Sequence, residues 1–326
     1  MAYHLECTVQ VGNYRFSSVN EVVIKRSVFT LGDTATIKIP LSAFIRNATN
    51  GKLEKIKTSD RFKVGDQVEI SLGYNGKLRK EFSGYVSRLN LDMPLVIECE
   101  DHSWPLKRAN LKQSWKKAFL KDILTYIASQ AGFNLLEGCP DVEITNFMVN
   151  DQTALWALQK IKDNYGLTIY FTTDGKLYAG LAYTRDLGAV QLTTGKNVIK
   201  SDDLKWINAE DVKLKIKVIS MEKNGSRIEA EVGDSDGEIR TLHFYDIKNK
   251  QQLKEMAERE IVKYKYTGYR GAVDAFLQPY AEPSMTAVLS DVQFPERSGS
   301  YFIESTEVHF GLSGGRRKIT LGIKLD

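Results

Sequence analysis

This chain offers almost no sulfur chemistry. Its three cysteines, Cys7, Cys99 and Cys139, are far apart, odd in number and free of any CxxC pair. That excludes a disulfide framework and a zinc knuckle, and fits reduced, mostly buried thiols in a cytoplasm. Charge of one sign is also missing: 45 Lys and Arg against 41 Asp and Glu leave a net +4. Overall charge therefore gives no argument for nucleic-acid binding, as a concentrated basic stripe would. No apolar run approaches the roughly 20 residues that span a bilayer. The start, MAYHLECTVQ, has no basic segment followed by an apolar one, so it is not read as a signal peptide. The sequons at Asn47 and Asn224 are then chance matches in loops. No P-loop, HExxH or GxGxxG occurs.

What is present is a change of period along the chain. At 326 residues the length suits two or three domains. Residues 1–108 read as strands. Leu5, Cys7, Val9 and Val11 alternate, Gly12-Asn13 turns the chain, and Thr34–Ile39 alternates again before Pro40. A lysine-rich stretch from Arg46 to Lys63 reads as a long exposed loop. Val68, Ile70 and Leu72 then run into Asn75-Gly76, which supplies the positive φ angles of a tight hairpin. Residues 109–190 switch to a helical period. Leu120, Ile123, Leu124 and Ile127 repeat at three and four before Gly132, and Leu155, Leu158 and Ile161 before Gly166. Asp174-Gly175 marks another hairpin, so this is a small α+β insert. Residues 191–326 return to strands around one helix, Lys250–Tyr264, and close through a Gly-rich turn into Ile319–Leu325. The fold class expected is mainly β with an α+β insert.

The segment Glu98-Cys99-Glu100-Asp101-His102 gathers residues that bind metals and move protons. Alternation, however, sends Leu95, Ile97 and Cys99 to one side of a strand and Glu98 and Glu100 to the other. Metal ligands must converge on one point, so the segment reads as a strand end with a buried thiol, and no metal or cofactor is expected. Gly311-Leu312-Ser313-Gly314-Gly315 matches G-x-S-x-G, but a nucleophile elbow needs a helix after the serine and a later histidine. Here an alternating strand follows and no histidine does, so a hairpin turn is expected and no enzyme. His4, His102, His243 and His309 are scattered. The sharpest basic clusters are Lys52, Lys55 and Lys57 in the long loop and Arg316, Arg317 and Lys318 near the end; each is a solvated turn or a contact for a partner's acidic surface or a passing polyanion.

Several stretches together resemble the late-control D family of phage tail hub proteins, which includes the hub portion of type VI secretion spikes. They are Phe62–Val68, Leu72-Gly73-Tyr74, Phe82-Ser83-Gly84-Tyr85-Val86, Pro94-Leu95, Glu98-Cys99-Glu100-Asp101 and Trp104 in the first region, then Gly299–Ile303, Arg316 and Ile319-Thr320-Leu321-Gly322 near the end. The order of these motifs carries the resemblance. It implies two tail-tube-like β-barrel domains flanking the insert, and a homotrimer whose six barrels mimic a sixfold tail tube. It implies as partners a tail tube protein, a central spike protein and baseplate wedge or tape-measure proteins, with DNA or an effector passing through the channel without specific binding. It places the chain in a virion tail or injection-system baseplate, assembled in the bacterial host cytoplasm, with no membrane contact. No fused spike or lysozyme segment is recognised. The middle, with Gly132-Phe133-Asn134-Leu135 and Gly166-Leu167-Thr168-Ile169-Tyr170, is also similar to small domains of secretins and outer-membrane receptors. That resemblance implies a cell-envelope protein-binding module, and a cell-wall-degrading tail enzyme is a third reading.

Overall fold

A computed structural model describes residues 4–46, 53–200, 203–222, 226–245 and 247–325. The first strand, Leu5–Val11, buries Cys7, Val9 and Val11 as the alternation demands. It pairs antiparallel with Gln67–Tyr74. That strand turns through Asn75 (φ 51) and Gly76 (φ 76), the left-handed pair of a two-residue hairpin, into the long strand Lys77–Asn90. In Leu95–Glu100 every second residue is buried, so Cys99 faces the core and Glu98 and Glu100 the other side. With 52% of residues in strand and 17% in helix, the chain is mainly β.

The two outer regions are hydrogen-bonded into one continuous sheet. Its order runs from Val198–Lys200 through Gly268–Ala275, Gly314–Lys324 and Gly299–Gly311 to Glu21–Ser27. It continues through Thr34–Ile39, Leu95–Glu100, Lys77–Asn90, Gln67–Tyr74 and Leu5–Val11 to Tyr14–Phe16. The join is the antiparallel pairing of Gly299–Gly311 with Glu21–Ser27, with Val308 opposite Ile24. Each side still has its own core. One is built on Val9, Ile24, Ile37, Ile70 and Ile97; the other on Leu192, Val273, Leu289, Tyr301 and Ile319. Fully burying a side chain of this size contributes about 1.5–3 kcal/mol, so each region has a core of its own, and the shared ladder holds the two in register.

The insert packs helices Leu120–Ala131 and Ala154–Tyr165 around Ile123, Leu124, Leu158 and Ile161. Both end on left-handed glycines, Gly132 (φ 76) and Gly166 (φ 58), which close the last turn where a Cβ would strain the backbone. Thr153 caps the second helix by accepting from Trp156 N at 3.2 Å. The sequence did not show that Asn110–Phe119 and Glu143–Thr153 form a two-stranded antiparallel ribbon here. Helix Lys250–Tyr264 starts where Asn249 Oδ1 accepts from Gln251 N at 2.8 Å. It lays Leu253 and Ala257 on a three-stranded sheet of Leu214–Met221, Arg227–Gly233 and Glu238–Tyr245.

One expectation needs correction. The lysine-rich stretch from Arg46 to Lys63 is not a loop throughout: within it Leu53–Lys57 is a strand, paired with Ser42–Arg46 as a hairpin. Leu53–Lys57 has polar residues at both phases, Glu54 in that of Ile56 and Lys55 and Lys57 in that of Leu53, which hides the alternation on which a strand assignment rests.

Gly84 shows how tightly the first region is built. A Cβ there would meet the Glu100 carbonyl oxygen at 2.2 Å and Asp101 Cα at 2.7 Å, both main chain that cannot swing aside. Gly84→Ala should therefore destabilise by about 1–3 kcal/mol or more, read as a fall in the urea midpoint at unchanged slope.

Candidate functional site

The strand period places charged side chains inside the molecule, along a seam where the first region, the insert and the last region meet. In Glu21–Ser27, Val22, Ile24 and Arg26 share the core face; in Gly314–Lys324, Arg317, Ile319 and Leu321 do. Glu81 joins them from the first region, at the register shift between Ile70 and Ser71 on its neighbour. Arg317 and Glu81 are 0% and 1% exposed. The guanidinium donates through Nη2 to Glu81 Oε1 at 2.6 Å and through Nη1 to Oε2 at 3.0 Å. It also donates to the carbonyls of Ala281 (2.8 Å) and Leu277 (3.4 Å) and lies 5.0 Å from the Tyr280 ring centroid. Only its Nε lacks a partner. Such a forked, charge-assisted pair fixes orientation as well as distance.

A second buried cluster lies beside it. Arg26 Nε donates to Asp33 Oδ2 at 3.1 Å, and Nη1 to Glu282 Oε2 at 3.1 Å and the Tyr280 hydroxyl at 3.4 Å. Burial opposes the Arg26 charge, but these neighbours outweigh it and hold its pKa above the ordinary arginine value. Asp101 accepts from Ser103 N at 2.9 Å, and its Oδ2 has no partner. Burial pushes both aspartates upward; the charge of Asp33 adds to this at Asp101, and Arg26 opposes it at Asp33. Burial also pushes the Tyr280 hydroxyl up to about 12.

The insert is clasped from two sides by histidines lying on glycines. A Cβ on Gly175 would meet the His102 ring at 2.6 Å, and one on Gly166 would meet the His243 ring at 1.8 Å. His102 Nε2 is 3.2 Å from Ser83 Oγ, which donates to the Thr173 carbonyl at 2.6 Å. Burial lowers the pKa of both histidines, helped by Lys80 at His102 and by Arg227 at His243. Two open clefts of about 290 and 340 Å³ flank this clasp and share Lys80 and Asp174 on their walls. Ser83, His102 and Asp174 thus line one cleft, as a hydrolase would require. The Ser83 proton, however, is committed to a backbone carbonyl, whereas a nucleophile must direct it to the base. The arrangement ties the Thr173–Gly175 turn to the first region.

The basic clusters named from the sequence fare unequally. Lys52 lies outside the described residues. Lys55 and Lys57 are exposed on their hairpin, with Lys57 Nζ 3.4 Å from Asp60. Arg316–Lys318 is not a patch, because strand alternation splits it. Arg317 is buried in its ion pair, which corrects its assignment to a contact surface. Arg316 packs 5.2 Å from the Phe276 ring centroid, and Lys318 bonds Asp203. Ser313 sits in the turn between strands Gly299–Gly311 and Gly314–Lys324, with no helix after it. Among the described residues, no three His, Cys, Asp or Glu side chains converge as metal ligands would.

Two functional features were missed. Arg26 and Arg317 occupy core phases of alternating strands, and that signal was present. Residues 107–121 hold six basic side chains and no acidic one, a longer one-sign run than either cluster named above.

No protein-family model and no curated protein matches the chain. Solved structures do. A tail protein from Neisseria meningitidis aligns over 99% of this chain and 97% of its own, at 13% identity and TM-score 0.64. A prophage 43 kDa tail protein from Shewanella oneidensis aligns over 97% of both, at 15% identity and TM-score 0.62. An Escherichia coli component of the type VI secretion system, itself similar to T4 bacteriophage tail proteins gp27 and gp5, aligns over 98% of this chain and 77% of its own. Its identity is 9% and its TM-score 0.60. The chain therefore has the fold of these tail and secretion proteins.

Two outcomes follow from the seam. Removing one member of a buried ion pair strands the other, so Glu81→Ala should cost about 3–5 kcal/mol; the double variant Glu81→Leu/Arg317→Met should recover much of this in the same denaturation assay. Asp101 gives a pH signature. An acid whose folded pKa is raised adds stability that is complete below its unfolded pKa, near 4, and fades as pH rises through the folded one. Asp101→Asn cannot ionise, so its melting temperature relative to the wild type should rise between about pH 5 and pH 8. Comparing the two proteins at each pH cancels the titration of His102 and His243, common to both.

Proposed function

We propose that this chain is the structural hub of a phage tail or contractile injection baseplate. Three copies close into a ring that joins the tail tube to the central spike and encloses the channel for DNA or an effector. The observation that carries this reading is the single sheet spanning two cores, matched end to end by tail proteins and a secretion component. Two β regions in each of three chains give six similar faces around a threefold axis. That is what a subunit needs if one side meets a sixfold tube and the other a threefold spike. The domains are then 1–108, 109–190 and 191–326, with the outer two as tube-like barrels.

In this reading the protein acts by position and is not an enzyme, which accords with the commitment of Ser83 to Thr173 and with the strand following Ser313. Wedge or tape-measure proteins meet the outer surfaces. Lys52, Lys55, Lys57, Arg316 and Lys318 remain candidates for partner or channel contacts. The hub belongs in the virion tail or injection baseplate after assembly in the host cytoplasm.

Light scattering on the purified chain tests the ring. The expected mass is about three times that of the chain; a stable dimer at the same concentrations would overturn the reading.

A further inference from the structure

The ribbon in the insert leaves main chain unused. Asn110–Phe119 and Glu143–Thr153, of 10 and 11 residues, pair with each other and, among the described residues, with no other strand. One face is covered, with Leu111, Ile144, Phe147 and Val149 buried in the insert core. The register puts Lys112, Ser114, Lys117 and Phe119 on the open face beside Thr145, Met148 and Asn150, with the unpaired Lys116 exposed between the pairs Trp115–Phe147 and Lys117–Thr145. A two-stranded ribbon is marginal alone, and an unpaired strand edge is a template for another strand.

The two edges are not equivalent. Glu143–Thr153 carries Asn146 at φ 55 and Asp151 at φ 53, and such kinks interrupt the even row of donors and acceptors that a new strand must meet. Asn110–Phe119 has no positive φ and its alternation breaks once, at Lys116-Lys117, so its edge is the less interrupted one. Its charge is also one-sided. Lys107 pairs with Glu100 and Lys117 with Glu143, and Arg108 stacks on Trp104. Among the described residues, Lys112 and Lys116 form none of the ion pairs that hold their neighbours. Lysines on an edge can simply repel other strands. Against that account, Met148 is 59% exposed and Phe119 43% on the same face, apolar surface that a guarded edge would not display.

We propose that the edge Asn110–Phe119 receives an extended acidic segment of another protein as a third strand. Main-chain bonds supply the adhesion, and Lys112 and Lys116 select the charge. A second copy of this chain is a poor source. Its dense acidic stretch, Glu229–Glu238, is already neutralised: Glu229 by Lys217, Glu231 by Lys215, Asp234 by Lys265 and Asp236 by Lys213. The inference rests on the ribbon and not on the hub reading, so the mass measurement and the following test fail independently.

The probe is a fluorescein-labelled peptide of about ten residues, enough to run along one strand, alternating Glu with Val and Thr. The control replaces each Glu by Lys. Anisotropy should show binding of the acidic peptide alone, weakening with salt and by about tenfold in Lys112→Glu/Lys116→Glu. Hydrogen exchange should show slower amides across residues 112–118 in the complex. Absence of binding, equal binding of both peptides, binding unchanged in the double variant, or binding without protection at 112–118 would each overturn the proposal.

Discussion

Arg317 is fully buried, and its charge is tolerable there only because Glu81 and two carbonyls receive four of its hydrogen bonds. The partners are 236 residues apart in the chain. Neither can be buried in this way until strand Gly314–Lys324 and strand Lys77–Asn90 have reached their final places. A buried ion pair is a poor source of net stability, since desolvation consumes most of what attraction returns. It is, however, an intolerant fit: displacement leaves a bare charge where an apolar contact would merely have slid. The pair therefore acts chiefly as a lock on how the last region sits on the first.

The rest of the seam depends on that lock. Leu277 and Ala281, whose carbonyls face Arg317, begin and end the segment that carries Tyr280, and Glu282 follows. Tyr280 and Glu282 reach Arg26, which in turn holds Asp33 beneath the end of Leu95–Glu100. Thr173 Oγ1 lies 3.5 Å from Glu282, while its carbonyl takes the Ser83 hydroxyl. Three regions thus meet through polar contacts with defined direction. The excess of carboxyl groups around Arg26 makes the arrangement sensitive to protonation, with Asp101 and its unpartnered oxygen the most exposed to that pressure.

Much of this fold was legible because period and punctuation agree. Asn75-Gly76, Gly132 and Gly166 stop or turn the chain where the hydrophobic pattern says an element has ended, and helix Lys250–Tyr264 falls on the bounds its periodicity marks. The ribbon Asn110–Phe119 with Glu143–Thr153 was hidden because one face is wet and two left-handed residues break the alternation. The seam was half legible. Arginine in the core phase at 26 and 317 is a readable anomaly, but its carboxylate partners lie far away in sequence, and nothing local distinguishes Glu81 or Glu282 from an ordinary surface acid. The Arg316–Lys318 triplet illustrates the error directly. Composition makes it a patch, whereas a period of two sends its middle member into the protein.

The proposed ring would give a polar seam a purpose. If three chains close a ring, six β regions must hold equal spacing, and each chain sets every second spacing internally. An apolar seam can repack with little loss when side chains slide past one another; a forked guanidinium–carboxylate bridge cannot, because its two bonds are lost together. Free energy spent on desolvating Arg317, Glu81 and Arg26 thus returns as angular precision between the two regions. The main-chain pairing of Gly299–Gly311 with Glu21–Ser27 sets the translation along the strands, because a slip by one residue would turn every side chain to the wrong face. Together the ladder and the buried bridge leave little freedom in the relation between the two cores. If the proposed ring forms, that rigidity is what presenting one fixed geometry to two partners of different symmetry would require.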